Sequence, residues 1–465
     1  MCPPCDAPCP LPCSVRPAAP EVHVPSIRVV HAREILDSQG VPTVEAEAVL
    51  SDGSRGRASA AGGISTGPFA VELRDGGTRH RGLGVTRAVR HVVRDIGPAL
   101  AGVDADDQRE VDRTLCALDG TPDKSRLGGN AILAVSAAVA RAAAAAAGVA
   151  FFRRQADTGG GGGQVLPVPM MNVLTGGPRP GCGADVREFM LVPVGASSFA
   201  EALCWCAESY HALAAVLRSR GWSDAVGGEG SFLPPVDGNG AAFDLLMAAV
   251  SAAGYEPGRD IAVALDVGPV RRPDGTYDFD GARRDLAGVV EVYADWLDRY
   301  PLVSVEDPLD GEDWAGWTNL TAELGDRVQL LGDALFASGA ERLRRGIETG
   351  AGNAFLIKPG QAGTLTETLD ALVLARSGGY RRTMSHRTGE TEDPLIAELA
   401  VATDCGQFKG GAPVRGERVA KYNELLRIEE ELGTSARYAG ATAFAPPARV
   451  GAVAPAAGRT TGRIA

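Results

Sequence analysis

The sequence predicts an α/β protein with two domains, of which the second is a β/α barrel. From about residue 161, short apolar runs alternate with longer helical patterns, and each run ends in polar or glycine residues. That alternation is typical of βα units whose functional residues lie at the carboxyl ends of the strands. Before it, a strand–turn–strand pattern leads into mostly helical segments. A chain of 465 residues is also too long for one small core.

Shifts in composition predict the domain boundaries. Residues 1–24 are rich in Pro, Cys and Ala, and we expect a disordered extension there. The run TGGGGG at 158–163 is the predicted flexible break between an N-terminal domain over 25–160 and a barrel over 161–440. Residues 441–465 are again rich in Ala, Gly and Pro, and we expect a flexible tail.

The N-terminal domain begins with two predicted strands, SIRVVHAREILDS and VEAEAVL, joined by the turn QGVPT. Alternation of apolar and polar residues in VEAEAVL is typical of a half-buried strand. A glycine-rich loop, AGGISTGP at 61–68, precedes the helical segments. The apolar stretch 131–152 contains Arg141 and is mostly alanine, so it predicts a packed helix and not a membrane span.

The predicted barrel strands are short apolar runs separated by helical patterns such as TLTETLDALVLARSGG. The runs, with the residues that follow them, read VLPVPMMNVL, REFMLVPV, IAVALDV, LVSVEDP, VQLLGDALF, NAFLIKPG, YRRTMSHRTG and GQFKGGAP.

Three of these runs end in an acidic residue, namely Asp266, Glu306 and Asp333, and a fourth ends in Lys358. Each is about one βα unit from the next, so we expect all four side chains at one barrel mouth. A single acid at a strand end is often only a helix cap or a surface ion pair. Three acids held together repel one another unless a hard divalent cation lies between them, which predicts a Mg²⁺ site.

Lys358 is unusual because only four of the 46 basic residues are lysines. Arginine stays protonated in proteins, whereas a lysine desolvated beside other cations can lose its proton and act as a base.

Charge and cysteine usage limit the possible partners and the compartment. A net charge of −12 argues against nucleic-acid and anionic-membrane partners. The N-terminus lacks the basic and apolar regions of a signal peptide, so we expect a cytoplasmic protein. Four of the nine cysteines crowd the segment MCPPCDAPCPLPC, where a metal clip and a disordered tail are both open, and we expect the others to be reduced thiols.

Nine stretches resemble the enolase family in the family's order, over about residues 25–440. They are LDSQGVPTVE, ISTG, LDGTPDKSRLGGNAILAVS, REFM, SVEDP, GDALF, SHRTGETED, KGGAP and RIEEELG. The resemblance implies a modified (β/α)8 TIM-like barrel preceded by an α+β N-terminal capping domain, assembled as a homodimer. It also implies Mg²⁺-dependent dehydration of 2-phosphoglycerate, a small phosphorylated carboxylate, to phosphoenolpyruvate.

The resemblance also implies roles for single residues. Asp266, Glu306 and Asp333 match the ligands of a first Mg²⁺, and Ser65 in ISTG matches the residue that completes a second site, filled when substrate arrives. Lys358 matches the base, with a pKa lowered towards neutrality. Glu229 in GGEGS matches the acid that helps hydroxide leave, and Glu188 in REFM matches its partner. The substrate-binding residues implied for phosphate and carboxylate are Ser385, His386, Arg387 and Lys409.

The departures from the family lie around these residues and spare them. Arg179, between two prolines in GGPRPGC, stands where the family carries a loop histidine. Gly228 and Ala334 each replace an aspartate, and KVNQ has become KPGQ. Because the ligands, both glutamates and the base survive, we expect a working site. Arg179 offers a planar fork suited to an additional carboxylate or phosphonate.

Three functions are therefore open. The first is ordinary enolase activity by a divergent member. The second is a specialised homologue, such as a carboxyphosphonoenolpyruvate synthase that performs phosphonoformyl transfer in phosphinothricin-type biosynthesis. The third is a non-enzymatic binding or scaffold role.

Overall fold

The computed structural model describes residues 25–63, 70–177 and 181–445, and it begins with a three-stranded antiparallel sheet. The strands are β1 (Ile27–Leu36), β2 (Pro42–Leu50) and β3 (Arg55–Ser59), paired in that order. β2 is the central strand and has its apolar positions buried, as the alternation in VEAEAVL predicts.

Over the described residues, five α-helices complete the N-terminal domain, together with a 3-10 turn at Arg79–Gly82 and a π-helical turn at Val92–Ile96. The α-helices are α1 (Thr86–His91), α2 (Gly97–Leu100), α3 (Gln108–Asp119), α4 (Gly129–Ala146) and α5 (Phe151–Gly159). α4 packs across the sheet, and Gly56 of β3 permits the close approach, because a Cβ there would lie 2.1 Å from the carbonyl oxygen of Ala138. Among the described residues, α4 alone is long and apolar enough to cross a membrane, yet 83% of it is buried inside the protein.

The glycine run at 158–163 is packed against the barrel and does not act as a loose spacer. A Cβ at Gly161 would lie 2.4 Å from the carbonyl oxygen of Ala402. The carboxylate of Asp404 accepts hydrogen bonds from the backbone N–H groups of Gly162 and Val165. The predicted break is thus a fixed connection in which glycine allows close backbone contact.

Eight strands close into a barrel, as the fold class predicted. In order around the barrel they are β5 (Val168–Thr175), β6 (Glu188–Val192), β7 (Ala262–Asp266), β10 (Leu302–Glu306), β11 (Gln329–Gly332), β12 (Ala354–Ile357), β13 (Arg381–Ser385) and β14 (Gly406–Lys409). β6 runs antiparallel to both neighbours, and the other pairs are parallel. The antiparallel strand β6 distinguishes this barrel from the regular (β/α)8 pattern, in which all strands are parallel.

Helices surround the barrel, and short strands lie outside it. The helices are α6 (Phe199–Ser219), α7 (Asn239–Ala252), α8 (Leu286–Arg299), α9 (Trp314–Leu324), α10 (Ala340–Thr349), α11 (Pro359–Ala362), α12 (Leu365–Ser377), α13 (Leu395–Ala402) and α14 (Gly416–Leu432). The short strands are β4 (Val165–Leu166), β8 (Tyr277–Phe279), β9 (Ala282–Arg284) and β15 (Arg437–Tyr438).

The segment expected to be a tail starts, in the structure, as part of the barrel. A short 3-10 helix spans Gly440–Phe444, and Phe444 is buried among the inward-facing apolar side chains of the strands. The carbonyl of Ala443 accepts a hydrogen bond from Gln407, whose amide also pairs with Gln329 inside the barrel. The expected start at residue 441 is therefore corrected, because these residues cover the end of the barrel opposite the mouth.

A mostly buried arginine on α4 links the two domains. Its guanidinium Nη2 lies 2.7 Å from Asp393 and 2.6 Å from Glu398, and its Nη1 donates to the carbonyl of Arg57. This residue is Arg141, the charge that argued against a membrane span. One apolar cluster also runs through both domains, so the N-terminal domain is fixed against the barrel.

Candidate active site

The strand ends that the sequence indicated meet at one mouth of the barrel. Asp266 and Glu306 are the last residues of β7 and β10, and they are partners in register. Asp333 and Lys358 directly follow β11 and β12, the next two strands around the barrel. A cavity of about 210 Å³ is lined there by Asp266, Asp333 and Lys358, while Glu306 is buried.

Lys409, the last residue of β14, bridges the carboxylates of three strands. Its Nζ lies 2.7 Å from Glu306, 2.9 Å from Asp266 and 3.1 Å from Glu188, the last as an ion pair without hydrogen-bond geometry. Burial lowers the pKa of Lys409, but the three carboxylates outweigh burial and raise the pKa well above its usual range. The predicted partner of this lysine was a substrate carboxylate, and in the structure protein carboxylates take that position.

Lys358 pairs with Asp333 at an Nζ–Oδ2 distance of 2.5 Å. Burial lowers the pKa of Lys358, but the charges of Asp333 and Glu306 raise it more, so the net pKa is above the usual value. This arrangement does not have the lowered pKa that was expected of a base. The physical reason is the direct pairing with Asp333, which has to be relieved before Lys358 can accept a proton.

Glu188 reaches the same mouth because its strand runs in the opposite direction. It is the first residue of β6, and the antiparallel register pairs it with Asp266 on one side and Thr175 on the other. Glu229 arrives from a tight turn, in which Gly227 and Ser231 are hydrogen-bonded. Burial, and then the neighbouring Glu188, raise the pKa of Glu229 to about 8, so its carboxyl group is mostly protonated at neutral pH.

The SHRTG segment lines the opposite wall of the cavity with cationic and donor groups. Ser385, His386, Arg387 and Thr388 all face the cavity. Arg418 of α14 donates to Nδ1 of His386, which leaves the proton of the neutral ring on Nε2. Burial and then the charge of Arg418 lower the pKa of His386 well below its usual range, so it acts as a neutral donor. Its Nε2 lies 4.0 Å from Glu229.

Arg387 is held by the N-terminal domain. Its Nη1 lies 2.6 Å from Glu72, and it donates to the carbonyl of Ala61 at 3.2 Å. Gly63 passes so close that a Cβ there would lie 2.8 Å from the guanidinium Nε. The capping domain thus contributes one wall of the cavity.

The carboxylates suit a hard divalent cation by their chemistry. Oε1 of Glu306 and Oδ1 of Asp333 are buried and have no hydrogen-bond partner in the described part of the chain. Burial and then the charge of Asp266 raise the pKa of Glu306 well above its usual range, which a cation would reverse. Over the described ranges, no group of three or more His, Cys, Asp or Glu side chains is arranged as a ready metal cage. Lys409, placed between Asp266 and Glu306, accounts for that arrangement.

Asp307 fixes the position of Asp333. Its Oδ1 accepts hydrogen bonds from the backbone N–H groups of Asp333, at 3.0 Å, and Ala334, at 3.1 Å. Burial and the charge of Asp333 raise the pKa of Asp307 to about 7. This residue was missed from the sequence, although it follows directly after Glu306 in SVEDP.

Two predicted site residues, Ser65 and Arg179, lie outside the described residues. Several groups at the cavity were not predicted, namely Glu72, Arg187, Asp307, Thr388 and Arg418. Arg418 could have been noticed, because a charged side chain in α14 takes a position that is completely buried. The other predicted residues, from Glu188 to Lys409, come together at the mouth.

The fold and the mouth together define a β/α-barrel enzyme with paired acidic and basic groups at the strand ends. Two family models match this chain: "Enolase, N-terminal domain" over residues 27–154 and "Enolase, C-terminal TIM barrel domain" over residues 163–446. The chain therefore belongs to the enolase family, whose members are enzymes of the lyase type.

Proposed function

We propose that this chain is a Mg²⁺-dependent lyase that removes the proton α to the carboxylate of 2-phosphoglycerate and forms phosphoenolpyruvate. The observation that supports this most is the arrangement of base and acid around the mouth. Lys358 follows β12, and Glu188 begins β6, which lies four strands away in a ring of eight. Glu188 neighbours Glu229, the proposed acid, so base and acid can approach a bound substrate from opposite sides, an arrangement that suits elimination of water.

In this proposal Lys358 and Glu229 move the two protons. Nζ of Lys358 takes the proton from C2, and the electron pair left on C2 becomes the C2–C3 double bond. The C3–O bond then breaks, and the carboxyl group of Glu229 gives its proton to the departing hydroxide, so that water leaves. The pKa of Glu229 near 8 supports this role, because an acid must hold its proton at neutral pH.

Asp266, Glu306 and Asp333 would hold the first Mg²⁺, and their unpartnered oxygens support that assignment. When bound, Mg²⁺ supplies positive charge for the substrate carboxylate and competes with Lys358 for Asp333. A second Mg²⁺ that arrives with substrate, with Ser65 as a ligand, is part of the proposal. Ser65 lies outside the described residues.

The remaining groups bind and orient the substrate. Arg387 and the Nε2–H of His386 offer positive charge and a hydrogen bond to phosphate, with Ser385 beside them. Lys409 would exchange one of its carboxylate partners for that of the substrate. A cytoplasmic homodimer without nucleic-acid or membrane partners also belongs to this proposal.

Phosphonoformyl transfer stays a prediction that the described residues do not decide. It needs the same proton-abstracting centre, and Arg179, the residue that suggested it, lies outside the described part of the chain. The scaffold role is less well supported, because base, acid and carboxylates are all in place at the mouth.

The test separates proton abstraction from loss of water. With Mg²⁺, the wild-type chain should form phosphoenolpyruvate, measured by its ultraviolet absorbance, and should exchange the C2 proton with deuterium. Glu229→Gln should exchange that proton while dehydration falls about a hundredfold or more, because the departing hydroxide lacks its acid. Glu256→Gln, at an exposed ion pair with Arg259, is the matched control and should behave as wild type. A wild-type chain that makes no phosphoenolpyruvate would disprove the proposal.

A further inference from the structure

Arg187 differs from the other cations at the catalytic cavity because it forms no ion pair with a carboxylate in the described part of the chain. It still acts on Asp266 at a distance: burial raises the pKa of that carboxyl group, and the charges of Lys409 and then Arg187 lower it. Lys358, Lys409 and Arg387 each form an ion pair with an acidic side chain. Arg187 lines the same cavity, but among the described residues no carboxylate oxygen lies within 4.0 Å of its guanidinium. Over the described residues, its one side-chain hydrogen bond runs from Nη2 to the carbonyl of Gly268, at 2.7 Å.

The backbone holds Arg187 firmly in this position. Its N–H donates to the carbonyl of Asp266 at 2.9 Å, and its carbonyl accepts from Gly176 at 3.0 Å. The guanidinium lies directly over Gly268, where a Cβ would be 2.2 Å from its Cζ. Gly268 has a φ of +58°, and only glycine leaves space for the arginine there. Arg187 is itself an exposed residue, and this fit fixes where its guanidinium lies.

Arg187 also lies between two cavities. A second cavity of about 280 Å³ adjoins the catalytic one, and Arg187 is the described residue that lines both. Pro269, Val270 and Leu309 give it apolar walls, and Ala334 leaves space where a longer side chain would project. Its three acidic members are already engaged: Asp307 and Asp310 accept backbone N–H groups, and Glu312 pairs with Arg342.

We infer that Arg187 binds a second small anion, a separate molecule that carries a carboxylate or phosphonate group, beside the substrate. The planar guanidinium is suited to bidentate binding of such a group, and the adjoining cavity has room for the rest of the molecule. The inference rests on the proposed function for the identity of the first ligand. It would give this member of the family a co-substrate or an effector that binds next to the reacting carbon.

Phosphonoformate is the probe, titrated into the full chain loaded with Mg²⁺ and phosphoenolpyruvate and followed by calorimetry. Arg187→Gln should weaken phosphonoformate binding about tenfold or more, and weaken it more than the binding of phosphoenolpyruvate. Arg187→Lys keeps the positive charge but lacks the planar guanidinium. Its affinity for phosphonoformate should therefore lie between those of the wild type and Arg187→Gln. Arg271→Gln is the control, since Arg271 lies near Gly268 on the loop after β7 but is paired with Asp313.

Three results would overturn the inference: no phosphonoformate binding to the loaded wild type, competition with phosphoenolpyruvate, or equal loss in the Arg187 and Arg271 variants. Dehydration of 2-phosphoglycerate by the wild type is measured separately. Its absence would disprove the proposed function, whereas binding of phosphonoformate through Arg187 would still support the anion site.

Discussion

The role proposed for Lys358 requires a lysine and not an arginine at this position. Both lysine and arginine could pair with Asp333, but only lysine can give up its proton at an accessible pH. The ion pair with Asp333, at 2.5 Å, keeps the ammonium group of Lys358 charged. The difference between lysine and arginine therefore matters only when this ion pair is broken.

Lys358→Arg should therefore lose exchange of the C2 proton of 2-phosphoglycerate, although it keeps the positive charge. We expect a loss of at least about a thousandfold, as for removal of a general base. Proton NMR in deuterium oxide measures the exchange. Lys124→Arg is the control, because Lys124 is also a buried, ion-paired lysine but lies at Glu367, away from the mouth. Normal exchange by Lys358→Arg would mean that the base is another residue.

At the same scale, the sequence could predict the residues at strand ends and could not predict their partners. Asp266 and Lys358 are visible because a short apolar run ends at each. Glu72 and Arg187 are not, because the first comes from the other domain and the second precedes its strand. Their contacts depend on how distant segments pack, which local patterns do not contain.

At the scale of the elements, the main feature that the sequence did not predict is the direction of β6. The run REFMLV has the same alternation whichever way the strand runs, so only pairing with β5 and β7 makes it antiparallel. That direction brings Glu188 to the mouth from the start of its strand. The packing of α4 could be predicted from the sequence, because its alanines and Arg141 both indicated a packed helix.

The ion pairs of Arg141 hold α4 against the barrel, and their removal should destabilise the protein. Arg141→Met leaves the mostly buried carboxylates of Asp393 and Glu398 without a cationic partner, so the free energy of unfolding should fall by about 3 kcal/mol. Urea denaturation measures the change. Arg153→Met, which breaks an exposed pair with Glu431, is the control and should cost less than about 1 kcal/mol. Equal losses would show that the Arg141 pairs do not hold the domains together.

The whole molecule concentrates buried carboxylates at one mouth, and this should make its stability depend on pH. Glu229 has a pKa of about 8 and Asp307 a pKa of about 7 in the folded protein, against 4.5 and 3.8 ordinarily. Between these values the folded state binds protons that the unfolded chain has released. Stability is therefore lost as the pH rises towards 8. His386, whose pKa is lowered from 6.5, affects stability only below that pH.

In a chelator, the free energy of unfolding should fall from pH 6.5 to pH 8, by at most about 1.4 kcal/mol per pH unit for each group. Added Mg²⁺ should reduce the fall, because a cation favours the charged carboxylates. Glu229→Gln should reduce it without metal. Urea denaturation at several pH values gives the slope, and a protein more stable at pH 8 than at pH 6.5 would refute this reading of the mouth.

At the scale of the molecule, the sequence predicted two domains, a closed barrel and the mouth at which its acids meet. It misjudged residues 158–163 and 441–445, because composition alone does not distinguish a flexible chain from one packed too closely for side chains. Gly161 against Ala402 and Phe444 within the barrel are examples. The rest of the expected tail lies outside the described residues.

The central claim is that the mouth removes the proton α to a carboxylate with the help of Mg²⁺. The most direct measurement is the NMR signal of the C2 proton of 2-phosphoglycerate in deuterium oxide, followed with the wild-type chain. We predict that the signal disappears when Mg²⁺ is present, persists after exhaustive chelation, and disappears again when Mg²⁺ is restored. Exchange at an undiminished rate after chelation, or no exchange with Mg²⁺ present, would contradict the account.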